Sequence, residues 1–141
     1  MNPRSKLTGD DLGKLRYLYK IPKFVEIRAL EAHERVDWVV PDWVALYEIV
    51  FRDGMRLSIP KLVRDVLDHY EITPGQLMPN AWRILMSLEC LSMWHVVICE
   101  IDEVLYSYYL KEHDTNKGQY HLIVRKDHVP LITCLRSNNH K

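Results

Sequence analysis

The chain has 141 residues, 48% of them apolar and 27% charged, with nineteen basic side chains balanced by nineteen acidic ones. That length is enough for one domain that buries a core without disulfide or metal, and the composition excludes a wholly disordered chain. The neutral sum hides an uneven pattern that argues against a uniformly basic nucleic-acid binder: eight Lys/Arg face five Asp/Glu in residues 1–35, five face eleven in 36–110, and six face three in 111–141.

Residues 1–7 carry no pattern and are expected to be a flexible N-terminus. Thr8-Gly9-Asp10-Asp11 reads as a helix start, with Thr8 as cap and two aspartates at the positive end of the helix dipole. Leu12, Leu15, Leu18 and Tyr19 form its apolar face, and Pro22 is expected to end it. Phe24 to Leu30 alternates apolar and polar residues and predicts a short strand. Glu31 to Pro41 reads as a surface loop that returns to the core through Trp38. From Asp42 a helix is expected, because Trp43, Leu46, Tyr47 and Val50 recur at helical spacing and Gly54 is placed to stop it.

The strongest pattern runs from Phe51 to Leu91. Ile59, Leu62, Val63, Val66, Leu67 and Tyr70 repeat every three or four residues, with Ser58 as candidate cap and Pro60 in the first turn. Thr73 and Gln76 have capping-box spacing around Pro74. Pro79-Asn80 opens a long helix through Trp82, Leu85, Met86, Leu88, Met93, Val96 and Val97, apolar nearly all round and therefore central. Ser87, Glu89, Ser92, His95 and Glu100 interrupt its apolar run, which makes it a core helix and no membrane span. Glu100 to Lys111 holds another helix or the continuation of this one, with Val104, Leu105, Tyr108 and Tyr109 inward. Asp114 to Gly118 is a turn, Tyr120 to Arg125 alternates as a strand, and Leu131 to Leu135 is its expected partner after the turn Lys126-Asp127-His128. The expected fold is mainly α, an α+β domain over residues 8–136 with five or six helices and a small C-terminal β-hairpin, followed by a frayed tail at 137–141.

Chemistry is sparsely written. Cys90, His95 and Cys99 fall near one side of the central helix, but a zinc site needs about four closely spaced ligands, and core cysteines with a core histidine are the plainer account. His69 beside Asp68 and His113 beside Asp114 do not orient as general bases, since adjacent helical residues do not face each other. Glu100, Asp102 and Glu103 read as a helix start. No phosphate loop is spelled by the five glycines. The chain is therefore expected to be a non-enzyme, with no catalytic residue, cofactor or metal assigned. Three dispersed cysteines and the absence of an apolar leader after Met1 predict free thiols in an intracellular compartment, cytoplasm or nucleus. Tyr106, Tyr108 and Tyr109 are the aromatic cluster that would stack bases if Lys111, Lys117, Arg125 and Lys126 converged beside them, against the plainer reading of a helix face in the core. Trp38, Trp43, Trp82 and Trp94 are likewise expected to bury apolar area.

One string stands out: Gln76-Leu77-Met78-Pro79-Asn80-Ala81-Trp82-Arg83, preceded by Phe51-Arg52-Asp53-Gly54-Met55-Arg56-Leu57 and Ile59-Pro60, and further back by Tyr19-Lys20-Ile21-Pro22 and Val25-Glu26-Ile27-Arg28. These residues resemble the plant gypsy-type transposon domain family, a Gag-like segment of retroelement-derived genes. The resemblance covers most of residues 17–136, reaching the Gly118-Gln119-Tyr120 segment. It implies an interaction or assembly module, with self-association or a protein partner, and no catalytic residues to carry over. Members of that family continue after the hairpin into a Trp-Lys segment and a Phe-Phe pair, whereas this chain stops at Asn138-Asn139-His140-Lys141, as expected of a C-terminally truncated member. Nucleic-acid binding through the basic ends and the tyrosines is the alternative reading.

Overall fold

In the computed structural model, which describes residues 7–35, 37–56, 58–94 and 98–131, regular structure begins with α1 (Gly9–Leu18), α2 (Glu48–Arg52) and α3 (Lys61–Tyr70). A 3₁₀ turn (Pro74–Gln76) leads to α4 (Pro79–Met93) and α5 (Ile101–Ser107), and the chain then forms β1 (Tyr108–Glu112) and β2 (Tyr120–Val124). Among the described residues, five α-helices and one antiparallel hairpin make a small α+β fold, the class the sequence predicts.

The core is built where the pattern is strongest. Leu62, Val63, Val66 and Leu67 fall on one side of α3 and are buried. Ala81, Trp82, Leu85, Met86 and Leu88 do the same on α4, which packs against α2, α3 and β2. Pro60 sits one position before the first turn of α3, and Ser58 donates no cap to it. At the other end Glu71 turns left-handed (φ 54°), so the Ile72 N–H reaches back to the Leu67 carbonyl (3.1 Å). The predicted stop at Gly54 is present with φ 108°, and it turns the fully buried Met55 inward, its N–H bonded to the Val50 carbonyl (3.1 Å).

The segment between α3 and α4 joins the halves. Gln76 Oε1 accepts the Thr73 N–H (2.9 Å), as the capping-box spacing predicts. Trp82 is fully buried and its Nε1–H donates to the Pro74 carbonyl (3.3 Å). Leu77 bridges to Tyr120, and the Met78 N–H donates to the Tyr120 carbonyl (2.9 Å), so this segment lies along the outer edge of β2. In the hairpin Tyr108 pairs with Val124, Leu110 with Leu122 and Glu112 with Tyr120. The pleat turns Tyr108, Leu110, Leu122 and Val124 toward the core, and Tyr109, Lys111, His121 and Ile123 to the other face.

Several expectations are corrected. The helix expected from Asp42 begins at Glu48. Asp42 is left-handed (φ 64°) and the Trp43 N–H closes on the Val40 carbonyl (3.1 Å), a tight turn over Pro41 that leaves Trp43 and Leu46 outside the helix. Phe24 to Leu30 is no strand, since none of the described residues pairs with it; the Arg16 guanidinium instead binds the Pro22 (2.5 Å) and Val25 (2.8 Å) carbonyls. α1 ends at Leu18, ahead of Pro22, because Lys20 turns left-handed (φ 52°), and no residue of α1 is fully buried. α4 stops at Met93, and the Ser92 hydroxyl accepts the Cys99 N–H (3.1 Å) beyond it. The helix expected to reach Lys111 ends at Ser107, where the β-favouring Tyr108 and Tyr109 begin a strand that pairs with Tyr120–Val124. Residues 1–6, His95, Val96 and Val97, Cys134 and the rest of the expected strand at 132–135, and the tail at 137–141 lie outside the described residues.

Truncating Trp82 to Ala is expected to cost about 3–5 kcal/mol, the range for emptying a buried aromatic site, and chemical denaturation checks it. Replacing the exposed Glu71 by Gly removes a left-handed side chain at the end of α3. It is expected to raise the melting temperature, with a gain of about 1 kcal/mol or less once the added chain entropy of glycine is counted.

Candidate interaction surface

Between α1 and α2, residues 19–47 contain neither helix nor strand among the described positions. Irregular connections beyond about 12–15 residues are uncommon in small domains and are usually functional or unstructured. This one is tied down at several points by polar groups. Tyr19 stacks on Phe51 (5.6 Å between ring centroids), and Ile21 is buried. Arg28 grips both oxygens of Glu34 (2.6 Å each), and Glu34 also accepts the Glu31 N–H (2.8 Å). The same guanidinium lies over the Trp43 ring at 4.9 Å, so one cation joins the beginning, middle and end of the loop. Arg35 pairs with Asp37 (2.8 Å) and donates to the Lys117 carbonyl (3.1 Å), docking the connection on the β1–β2 turn.

What this scaffold presents is apolar. Trp38 is 49% exposed and Val39 82%, with Trp43 and Val44 also exposed, and Phe24 stands out nearby in the chain. Burial would hide such side chains, yet here the hydrogen bonds hold the backbone and leave them outward. A second outward group, Met93, Trp94 and Ile98, marks the end of α4, next to a shallow pocket lined by Lys61, Asp65, Glu89, Cys99 and Glu100. Of the four tryptophans expected inside, Trp82 alone is fully buried; Trp38 does not return the loop to the core, and Trp94 is 80% exposed. The signal missed in the sequence is the pair of arginines, because Arg28 with Glu34 and Arg35 with Asp37 have no helical or strand spacing.

Cys90 is exposed on α4 and Cys99 buried beyond its end, where burial and the nearby Glu103 and Glu89 carboxylates push its thiol up, away from the nucleophilic form. His69 packs edge-on against Tyr70 at 4.9 Å. Glu103 accepts the Glu100 N–H (2.8 Å), the helix-start role read for that carboxylate group. Among the described residues no three His, Cys, Asp or Glu side chains are grouped to hold a metal ion.

The tyrosines are parted by the strand. Tyr108 is buried and its hydroxyl accepts the Leu131 N–H (3.0 Å); Tyr109 lies on the opposite face under Arg125 (5.9 Å); Tyr106 is exposed against His128 (4.8 Å). Lys111 lies 3.7 Å from Asp114 and Lys117 3.5 Å from Glu112, while Arg125 donates to the Leu105 carbonyl (2.8 Å). Of the alternative basic and aromatic platform, Tyr109 and Lys111 share the outward face with Arg125 over the Tyr109 ring, whereas Tyr108 is buried on the other. No helix among the described residues is long and apolar enough to cross a membrane.

The Glu34 carboxyl is drawn down to about 2 from 4.5, chiefly by its hydrogen bonds from Arg28 and then by the Glu31 N–H. A lowered carboxyl stabilises the folded loop above its unfolded value and loses that contribution as pH falls through its folded value. The Arg28–Glu34 clasp is thus expected to hold from neutrality to pH 4.5 and to open progressively between 4.5 and about 2. Protection of the Glu31 amide, corrected for intrinsic exchange, checks this, and Glu34→Gln is expected to remove the acid transition.

Compared with known proteins, the chain matches no family model, no curated protein and no solved structure.

Proposed function

We propose that this chain is a non-enzymatic interaction module that associates through the apolar face of the 19–47 connection, and that its partner is a second copy of itself. The observation that carries this reading is Trp38, Val39, Trp43 and Val44 held outward by an arginine-clasped loop. Keeping such a loop in one shape while its large apolar groups stay wet has a physical return when those groups are covered by another surface. The retroelement Gag-like origin read from Gln76 to Arg83 is part of the same proposal, and it is why self-association is placed before other partners.

Light scattering across a range of concentrations tests it. The average mass is expected to rise with concentration, and the double substitution Trp38→Ser with Val39→Ser is expected to return the protein to the monomer while keeping the helical circular-dichroism signal of the fold, since neither side chain belongs to the buried core. A strict monomer at high concentration, or a dimer that ignores the double substitution, rejects this surface. Nucleic-acid binding, for which the Tyr109–Arg125 pair is the remaining support, would instead show affinity that falls steeply with salt.

A further inference from the structure

The turn between β1 and β2 is closed by a histidine ring. His113 donates its N–H to the Gln119 carbonyl (2.7 Å), which continues the hairpin by one rung. Its side chain then folds over the turn, and Nδ1 accepts two backbone N–H groups, those of Thr115 (3.1 Å) and Asn116 (3.0 Å). A nitrogen can receive two donors only through an unprotonated lone pair, which the tautomer with its hydrogen on Nε2 supplies. A second proton would have to go on Nδ1. It would turn the acceptor into a third donor aimed at two others.

We propose that this turn is a proton-sensitive latch: neutral His113 closes it, and protonated His113 opens it and loosens the hold of the turn on the 19–47 connection. That hold runs through the Lys117 carbonyl, one residue beyond Asn116, which accepts Arg35. Asp37 of the same connection sits so close to Gly118 that a Cβ there would lie 2.7 Å from its Oδ2, so the two loops fit only while the turn keeps its shape. The inference rests on the hydrogen bonds of the turn and stands whether or not the connection binds a second copy.

The surroundings of the ring make the response depend on His113. From β2, the His121 ring lies 4.9 Å away; burial, His113 and Lys111 hold its imidazole below the usual range, against Asp114. From β1 come Lys111 and Glu112, from the turn itself Asp114 and Lys117, and from the connection Arg35 and Asp37. The two carboxylates that touch backbone or arginine here, Glu112 and Asp37, are both held low, Glu112 chiefly by the Gly118 N–H and Asp37 chiefly by Arg35. Neither changes charge where an imidazole titrates, between about pH 5 and 8.

Amide hydrogen exchange and histidine ring titration, followed together by magnetic resonance on the intact chain, test the latch. Protection of Thr115 and Asn116, corrected for intrinsic rates, is expected to fall about tenfold or more as the His113 ring takes its proton, as loss of both bonds implies. The indole resonance of Trp38 is expected to shift in step. His113→Asn is the sharper variant, because Asn Oδ1 falls where Nδ1 lies, accepts the same two N–H groups as an Asx turn and does not titrate. It is expected to keep protection high and flat with pH, whereas His113→Ala loses it at every pH. His121→Asn is expected to leave the response in place. The proposal is overturned if Thr115 and Asn116 stay protected while the His113 ring titrates, if His113→Asn responds to pH as the parent does, or if the response follows His121 instead. A turn that opens while Trp38 is unmoved overturns the coupling to the connection.

Discussion

Trp82 is the point on which the rest of the fold turns. Its ring fills the space between α4 and the segment that precedes it, and its Nε1–H needs an acceptor once buried, which the Pro74 carbonyl supplies. That one bond fixes the distance between the 3₁₀ turn and the first turn of α4. The stretch in between, Leu77 and Met78, is thereby stretched out, and it meets β2 at Tyr120. Three consecutive demands are met at one place: a helix start at Pro79, an apolar plug at Trp82 and an edge partner for the hairpin. Among the described residues the sheet has two strands, and it gains stability from that third, short contact and from the burial of Tyr108 and Leu122.

The N-terminal third is held by a different physics. No residue of α1 is buried, and among the described residues the connection after it contributes Ile21 alone to the buried apolar set. Its order comes from charge-assisted hydrogen bonds: Arg16 on two carbonyls, Arg28 on Glu34, Arg35 on Asp37. Exposed pairs of this kind each contribute little, about 0–1 kcal/mol, so this part of the molecule is held by several weak bonds and opens more readily than the α3–α4 core. The same difference explains why the large apolar side chains are outward here and inward there. Burial decides side-chain placement in the core, whereas backbone anchoring decides it in the connection.

That difference also sets what could be read from residues alone. α3 was legible because Leu62, Val63, Val66 and Leu67 carry a period that burial enforces, and the Thr73–Gln76 box was legible because both partners are local. Gly54 was legible for its backbone freedom. The Trp43, Leu46, Tyr47, Val50 spacing misled, because Pro41 and a left-handed Asp42 shape a turn first and let the helix begin only at Glu48. At Tyr108 the apolar spacing of a helix and the alternation of a strand overlap for several residues, and the choice is made by a partner strand twelve residues further on, at Tyr120. Of the surface, Trp38 and Trp43 were visible as residues but not as exposed ones, since their exposure depends on pairs such as Arg28–Glu34 that follow no period.

The junction at Ser107 shows how the two kinds of order meet. The Ser107 carbonyl accepts the Arg125 N–H (2.9 Å), so the ladder of the hairpin begins at the last residue of α5 with no loop between them. Arg125 then uses its side chain on the Leu105 carbonyl, one of the groups left open at the end of a helix. A helix end and a strand end thus satisfy each other. This fixes the direction in which β1 leaves the core, and with it the far turn at residues 113–119, which reaches the connection through Arg35 and Lys117. The hairpin is in this sense a lever: its base is set by apolar packing around Tyr108, and its tip touches the part of the chain that is ordered by polar bonds. A change in the polar chemistry at the tip therefore acts on the weakly held connection and leaves the Trp82 core undisturbed.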